Sequence, residues 1–187
     1  GSETWPGDTW QNGGGPVWIT GNYDPEAKLA YWGVGNAAPW VGALRPGDNL
    51  YTASTIGLDP ETGRIATHFQ YHWNDTWDWD ETVPPTLIDL QDENGDSQKL
   101  AVRFARNGYI YKLDRAGGKL SFIEGKPYVY QNVFTGLDPK TGRPEYNEEN
   151  HPDLGKRVNY CPSAWGGRDW PADSYDPATG TLFISVN

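Results

Sequence analysis

One short motif recurs along the chain and limits what it can fold into. Tyr23-Asp24-Pro25-Glu26 is followed by Gly57-Leu58-Asp59-Pro60-Glu61-Thr62-Gly63-Arg64 and by Leu113-Asp114-Arg115-Ala116-Gly117-Gly118-Lys119. Gly136-Leu137-Asp138-Pro139-Lys140-Thr141-Gly142-Arg143 and Tyr175-Asp176-Pro177-Ala178-Thr179-Gly180-Thr181 complete the series. Asp opens each turn, Pro often presets the next φ, and Gly supplies the positive φ that closes it. Apolar or aromatic residues flank most copies, as in Leu120-Ser121-Phe122 and Leu182-Phe183-Ile184. Each copy therefore predicts a β-hairpin. Five such hairpins at irregular intervals predict an all-β chain built by radial repetition, a partial β-propeller, with a β-sandwich as the competing architecture. A blade takes about 40 to 50 residues, so the 187 residues amount to about four blades. Pro84-Pro85 and Gly166-Gly167 interrupt the windows where a helix would be sought.

Composition bears on what such a fold must use for a core. Only 36% of residues are hydrophobic, but 10 are Trp and 11 Tyr, so large aromatic side chains have to fill the interior. The balance of 25 acidic against 15 basic residues gives a net charge of −10. No basic stripe exists, which argues against a nucleic acid partner and favours bound cations or a basic protein surface. The single cysteine, Cys161, has no internal partner. No apolar run reaches the length of a membrane span, and no signal peptide is visible. The chain opens Gly-Ser-Glu-Thr, contains no Met, and stops at Phe183-Ile184-Ser185-Val186-Asn187 inside a strand-like run. Residues 1–187 are accordingly expected to be one stretch of a larger propeller domain, truncated at both ends.

The stretch Asn74-Asp75-Thr76-Trp77-Asp78-Trp79-Asp80-Glu81 stands apart in chemistry, with four carboxylates and two indoles in eight residues. If it is extended, alternate side chains share a face. Asp78 and Asp80, with Thr76, then point one way, and Trp77 and Trp79 anchor the other. Two carboxylates on one face raise each other's pKa unless a cation sits between them. A metal site, an acid–base pair and a solvated acidic turn all remain open from these residues alone.

Other stretches supply candidate partners. Gln11-Asn12-Gly13-Gly14-Gly15-Pro16-Val17-Trp18 is followed by a strand, not a helix, so it does not suit a phosphate cradle. It suits close backbone approach, with Trp18 either presenting a flat face to a planar ligand or packing in the core. Tyr31-Trp32-Gly33-Val34-Gly35-Asn36 ends a strand in an Asn that either serves a turn or offers a neutral hard oxygen to Ca²⁺ or a similar cation. Phe104-Ala105-Arg106-Asn107-Gly108-Tyr109 runs a strand into an Asn-Gly turn. Arg106 there is either a surface residue or a fixed charge for a quinone or carboxylate oxygen. The segments 39–49 and 140–160 read as long surface loops. His68, His72, His151 and Cys161 lack zinc-ligand spacing, and no nucleophile elbow or phosphate-binding loop is present.

In order and separation, these pieces resemble the quinoprotein alcohol dehydrogenases. That family comprises eight-bladed propellers that use pyrroloquinoline quinone and includes the methanol dehydrogenases. The carriers are Gly13-Gly14-Gly15-Pro16-Val17-Trp18, Tyr31-Trp32-Gly33-Val34-Gly35-Asn36, Arg45-Pro46-Gly47-Asp48-Asn49, Trp77-Asp78-Trp79-Asp80, Arg106-Asn107-Gly108 and Cys161-Pro162-Ser163. The resemblance implies that Trp18 stacks beneath the quinone, Asn36 ligates the adjacent metal, and Arg106 lies near the quinone carbonyls. Asp169 falls where members carry Asn or Asp near the cofactor. Asp78 matches the carboxylate that acts as general base on the alcohol and also faces the metal. Asp80 stands where calcium-dependent members carry a small uncharged residue and resembles the lanthanide-dependent members. A trivalent hard cation tolerates an extra anionic ligand better than Ca²⁺ does. Trp79, Glu81 and Pro84-Pro85 resemble the broad-range ethanol dehydrogenase branch more than the methanol enzymes.

The implied reaction is oxidation of a small primary alcohol, with hydride passing to the quinone and electrons then to a cytochrome c, in the periplasm. The oligomeric state stays open, a homodimer included. A further glutamate ligand and an adjacent-cysteine disulfide of the family belong before residue 1. Cys161 resembles half of a disulfide completed beyond Asn187. The rivals are a calcium-dependent or aldose dehydrogenase-like relative, and a non-catalytic, aromatic-rich propeller that binds sugars or peptides.

Overall fold

A computed structural model describes residues 1–187. It contains twelve strands in four antiparallel sheets, with no helix longer than a single 3-10 turn or so. The first sheet is β1 (Asn22–Asp24), β2 (Leu29–Val34), β3 (Ser54–Leu58) and β4 (Ile65–Gln70) in sequential order. The second repeats that meander with β5 (Thr86–Gln91), β6 (Ser97–Phe104), β7 (Tyr109–Asp114) and β8 (Ser121–Pro127). Two hairpins follow, β9 (Phe134–Leu137) with β10 (Pro144–Tyr146), and β11 (Ser174–Asp176) with β12 (Thr181–Phe183). Separate up-and-down sheets met one after another along the chain are the blades of a partial propeller, not the two facing layers of a sandwich.

All five recurrent motifs join antiparallel neighbours, as their residues predict. In each, the opening Asp carboxylate accepts a following backbone N–H at 2.7–3.1 Å. Four residues after that Asp the chain enters the left-handed region. Gly63, Gly118, Gly142 and Gly180 take it at φ 65° to 74°, and Lys28 takes it at φ 54° in the copy that lacks glycine. Asp92 opens a further, shorter turn between β5 and β6, accepting from the Asn94 and Asp96 N–H groups, with the left-handed Gly95 three residues on.

Strand alternation then decides where the long connections go. Within each sheet, β1 to β2, β3 to β4, β5 to β6 and β7 to β8 turn tightly at one end. The β2–β3, β4–β5 and β6–β7 connections and the segments entering β1 and β11 emerge at the other. Sequence-distant polar residues are gathered at that second end.

The core lies between the first two sheets and the β9–β10 hairpin. Eight of its fourteen buried residues are aromatic: Tyr31, Phe69, Tyr71, Trp77, Trp79, Tyr109, Tyr111 and Phe134. Two expectations change. The polar stretch 140–160 is not wholly a surface excursion, because it contains β10, whose Tyr146 stacks on Trp73 with ring centres 4.5 Å apart. The final strand ends at Phe183, and Asn187 instead donates its N–H to the Gly167 carbonyl at 3.0 Å.

Candidate functional site

The connection from β4 to β5 carries the acidic stretch, and it is not the extended strand that alternation suggests. Asp75 is buried, and its carboxylate accepts the backbone N–H groups of Trp77, Asp78 and Trp79 at 3.4, 3.0 and 3.3 Å. Collecting three successive donors on one carboxylate curls the chain and leaves Asp78 at φ 68°, a left-handed conformation that Asp tolerates better than most residues. The two-sided arrangement nonetheless survives. Trp77 and Trp79 are both 0% exposed and stack with ring centres 4.9 Å apart at 14°, while Asp78 and Asp80 lie at the half-buried side. Thr76 does not join the aspartates. Its hydroxyl accepts from the Gly42 N–H at 3.4 Å, and its carbonyl from the Trp40 indole at 3.0 Å.

Asn36, at the end of β2, meets both aspartates. Its side-chain Nδ2 donates to Asp78 Oδ1 at 2.6 Å and its backbone N–H to Asp80 Oδ1 at 2.9 Å. Rotated by half a turn, the same amide presents its oxygen on that side. Gly35 makes the approach possible, because a Cβ there would stand 2.3 Å from Asp80 Oδ1 and 2.9 Å from Pro16 Cγ. The Gly35 N–H donates to the Pro16 carbonyl at 2.8 Å, which lays the glycine-rich segment alongside Asn36. Two residues beyond Pro16, Trp18 is 48% exposed, so it is not a core tryptophan.

Arg106 enters from the β6–β7 turn. Its Nη1 lies 4.0 Å from Asp80 Oδ2 and 3.5 Å from Asp169 Oδ1, and its Nη2 donates to the Ala164 carbonyl at 2.9 Å. Its buried Nε has no protein partner. Asn36, Asp78, Asp80, Arg106 and Asp169 therefore converge.

Electrostatics distinguish the carboxylates. Burial, then the Asp80 and Asp75 charges, push Asp78 above the usual carboxylate range, with Arg106 offsetting only part. Burial also pushes Asp80 up, against the Asn36 N–H and Arg106 and with Asp75 and Asp169. The protein therefore compensates the charge of both groups only in part. Asp75 goes the other way: burial opposes its charge, but the His72 hydrogen bond and charge, the Trp79 N–H and the Arg45 charge outweigh that cost. No three His, Cys, Asp or Glu side chains are grouped to hold a metal. The donors on offer are two carboxylates and one amide, all hard oxygens, a set that suits Ca²⁺ or a trivalent hard cation completing its shell with other ligands. The exposed Trp18 indole and the Arg106 guanidinium are the kinds of group that suit a flat, oxygen-rich ligand.

Behind the cluster is a buried charge network that the sequence does not disclose. Glu81 Oε2 pairs with Arg103 Nη2 at 2.8 Å, and Glu81 Oε1 accepts the Arg106 N–H at 2.7 Å. His72 Nε2 lies 3.0 Å from Asp75 Oδ1. Arg45 donates to the carbonyls of Pro39, Trp40 and Asp75 and to the Asn49 side chain, pinning the β2–β3 connection to the acidic loop. Arg45 and Glu81 stand out in the sequence through the family resemblance, and Asp75 only as a neighbour of the indole pair, but nothing there indicates that they pair or are buried.

Propeller blades with an acidic, oxygen-donor cluster at the ends of the sheets define the class of this molecule. Residues 1–128 match the PQQ family described as the glucose/ethanol/alcohol dehydrogenase β-propeller domain. The chain is 41% identical over 192 residues to quinoprotein alcohol dehydrogenase PedH of Pseudomonas putida, covering 99% of this chain and 32% of that protein. It is 38% identical to methanol dehydrogenase [cytochrome c] subunit 1 of Methylorubrum extorquens, covering 100% of this chain and 30% of that protein. Among solved structures, a europium-containing methanol dehydrogenase superposes with a TM-score of 0.92 at 34% identity, over 100% of this chain and 32% of the other. The chain thus belongs to the family of pyrroloquinoline quinone-dependent alcohol dehydrogenases. It spans about a third of the length of these relatives.

Proposed function

We propose that the protein containing this chain oxidises primary alcohols to aldehydes with pyrroloquinoline quinone and a hard cation, and that residues 1–187 are one stretch of its single propeller domain. The observation that carries this reading is the convergence of Asn36, Asp78 and Asp80 beside Arg106, two carboxylates joined through one amide residue whose charge the guanidinium only partly offsets. When bound, the quinone would supply a hydride acceptor for the alcohol carbon and the cation a Lewis acid. Asp78 takes the hydroxyl proton. Its carboxylate is an anionic acceptor held by the Asn36 amide, and a cation held beside it would keep it ionised and able to accept. Asn36, Asp78 and Asp80 hold the cation, and Trp18 orients the quinone ring by offering a flat face. Arg106 supplies a fixed positive charge for a quinone oxygen, and Asp169, 3.5 Å away, orients that guanidinium.

Asp80 makes a lanthanide the better occupant. A second carboxylate beside Asp78 adds repulsion that three positive charges offset better than two. The likeness to a europium-containing enzyme supports this choice over Ca²⁺. A cytochrome c acceptor is supported by the likeness to the Methylorubrum extorquens methanol dehydrogenase, which is named for cytochrome c. Family membership supports a periplasmic location, and no helix of the chain is long and apolar enough to cross a membrane. A homodimer is proposed only as an assembly to be measured. The test is Asp80→Ala in the whole protein, assayed with Ca²⁺ and with La³⁺. The expected result is loss of lanthanide-supported turnover with calcium-supported turnover less affected. Unchanged turnover with La³⁺ would remove Asp80 from the metal site.

A further inference from the structure

His72 is fully buried and touches both acids on which the site is hung. Its Nε2 lies 3.0 Å from Asp75 Oδ1, and since an ionised carboxylate only accepts, that nitrogen carries the proton and donates. Its Nδ1 faces Glu81 Oε1 at 3.9 Å and has no hydrogen-bond partner. The ring is wedged edge-on against Trp79 and Trp77, with centres 5.6 and 6.4 Å away. Asp75 in turn holds the N–H groups of residues 77, 78 and 79, including that of the left-handed Asp78. Glu81 holds the N–H of Arg106. One imidazole thus stands between the support of the carboxylate pair and the support of the guanidinium.

We propose that His72 is a positioning residue for the site: by donating to Asp75 it fixes the curl of residues 77–79, and with it the placement of the Asp78 and Asp80 carboxylates. This inference rests on the reading of Asp78 and Asp80 as cation ligands. Without the His72 donor, Asp75 Oδ1 keeps only the long contacts from the Trp77 and Trp79 N–H groups at 3.4 and 3.3 Å, and the carboxylate whose Oδ2 holds the left-handed Asp78 N–H is less firmly oriented. A displacement of about 1 Å at a reacting group costs on the order of 100-fold in rate. Groups that orient metal ligands typically change metal affinity or activity by roughly 10- to 100-fold when removed.

The test compares His72→Gln with His72→Asn in the whole protein. Gln places a donor near the position of Nε2, whereas Asn reaches only as far as Nδ1. Three quantities are measured: the melting temperature, Eu³⁺ emission as a titration and a lifetime, and amide exchange at residues 77–79 in metal-free protein. For His72→Asn the expected result is a Eu³⁺ affinity lower by roughly 10- to 100-fold. It should also show a shorter emission lifetime and faster exchange at residues 77–79, with His72→Gln close to wild type in all three. Equal behaviour of the two variants, whatever the melting temperatures, would overturn the proposal. Wild-type protein that binds no Eu³⁺ would overturn the metal reading instead, and exchange at residues 77–79, which needs no metal, would then decide the role of His72 by itself.

Discussion

At the scale of single residues, the site depends as much on an absent side chain as on charged ones. Asp80 can accept the Asn36 N–H only because residue 35 is glycine. Gly35 itself sits outside the left-handed range, so its value is space and not backbone freedom. Gly35→Ala is therefore expected to push against Asp80 Oδ1 and the Pro16 ring, neither of which has room to yield without losing its hydrogen-bonded neighbour. Crowding a packed position of this kind typically costs about 1 to 3 kcal/mol. The expected signature is a weaker La³⁺ affinity out of proportion to the fall in stability, measured by metal titration and denaturant unfolding of the same protein. A drop in stability with affinity unchanged would mean that Asp80 is not placed by this contact. Asp78 shows the other side of the matter. Its left-handed backbone is a cost that Asp75 offsets with three hydrogen bonds, and strained residues kept in this way are commonly found where function requires them.

At the scale of elements, the β4–β5 connection and the β6–β7 turn behave as one unit because Glu81 joins them. Its two oxygens are used separately, one on the Arg103 guanidinium and one on the Arg106 N–H, and both Glu81 and Arg103 are excluded from solvent. Removing one partner of a buried pair leaves the other charge uncompensated, at about 3 to 5 kcal/mol. Glu81→Ala should cost that much in denaturant unfolding, and Glu81→Ala combined with Arg103→Met should recover a large part of it. A double variant no better than the single one would show that packing, not charge, accounts for the loss. The hairpins were legible in the sequence because their causes are local: an Asp side chain, a Pro and a residue four positions on form the whole device. Asn36, Asp78, Asp80 and Arg106 were legible as candidates through the resemblance, and alternation foretold which way the indoles and aspartates face. The roles of Asp75, Glu81 and His72 were not legible. A carboxylate beside a solvent-facing one looks the same in sequence whether or not an arginine 22 positions away covers it. The curl at Asp78 was missed for a similar reason, since period-2 reasoning has no means of seeing one carboxylate take three backbone donors.

At the scale of the whole molecule, the acidic groups divide into two populations whose effects on stability run in opposite directions with pH. Asp59, Asp138 and Asp176, which accept side-chain and backbone hydrogen bonds in their turns, and Asp75, which does so in the site, are held below the usual range. A depressed carboxylate contributes stability above its unfolded pKa and loses it as the pH falls through its folded one. Asp78 and Asp80 are raised, so the folded state is favoured while they hold their protons and gives up that advantage as the pH climbs through their folded pKa values. On the proposed function a cation between them would reverse this, because it would bind the ionised pair and add stability by mass action. The increase in melting temperature on adding La³⁺ should therefore be smaller at about pH 4, near the ordinary aspartate pKa and so below these raised ones, and grow toward about pH 7. In Asp80→Asn the metal-free protein should melt higher than wild type at about pH 7, since one of two repelling charges is gone, while the La³⁺ increment shrinks. Calorimetry across that range, with and without La³⁺, measures both arms at once. An increment independent of pH would mean that the cation does not displace protons from this pair, and a metal-free Asp80→Asn protein less stable than wild type would mean that hydrogen bonding to Asn36, not repulsion from Asp78, dominates at Asp80.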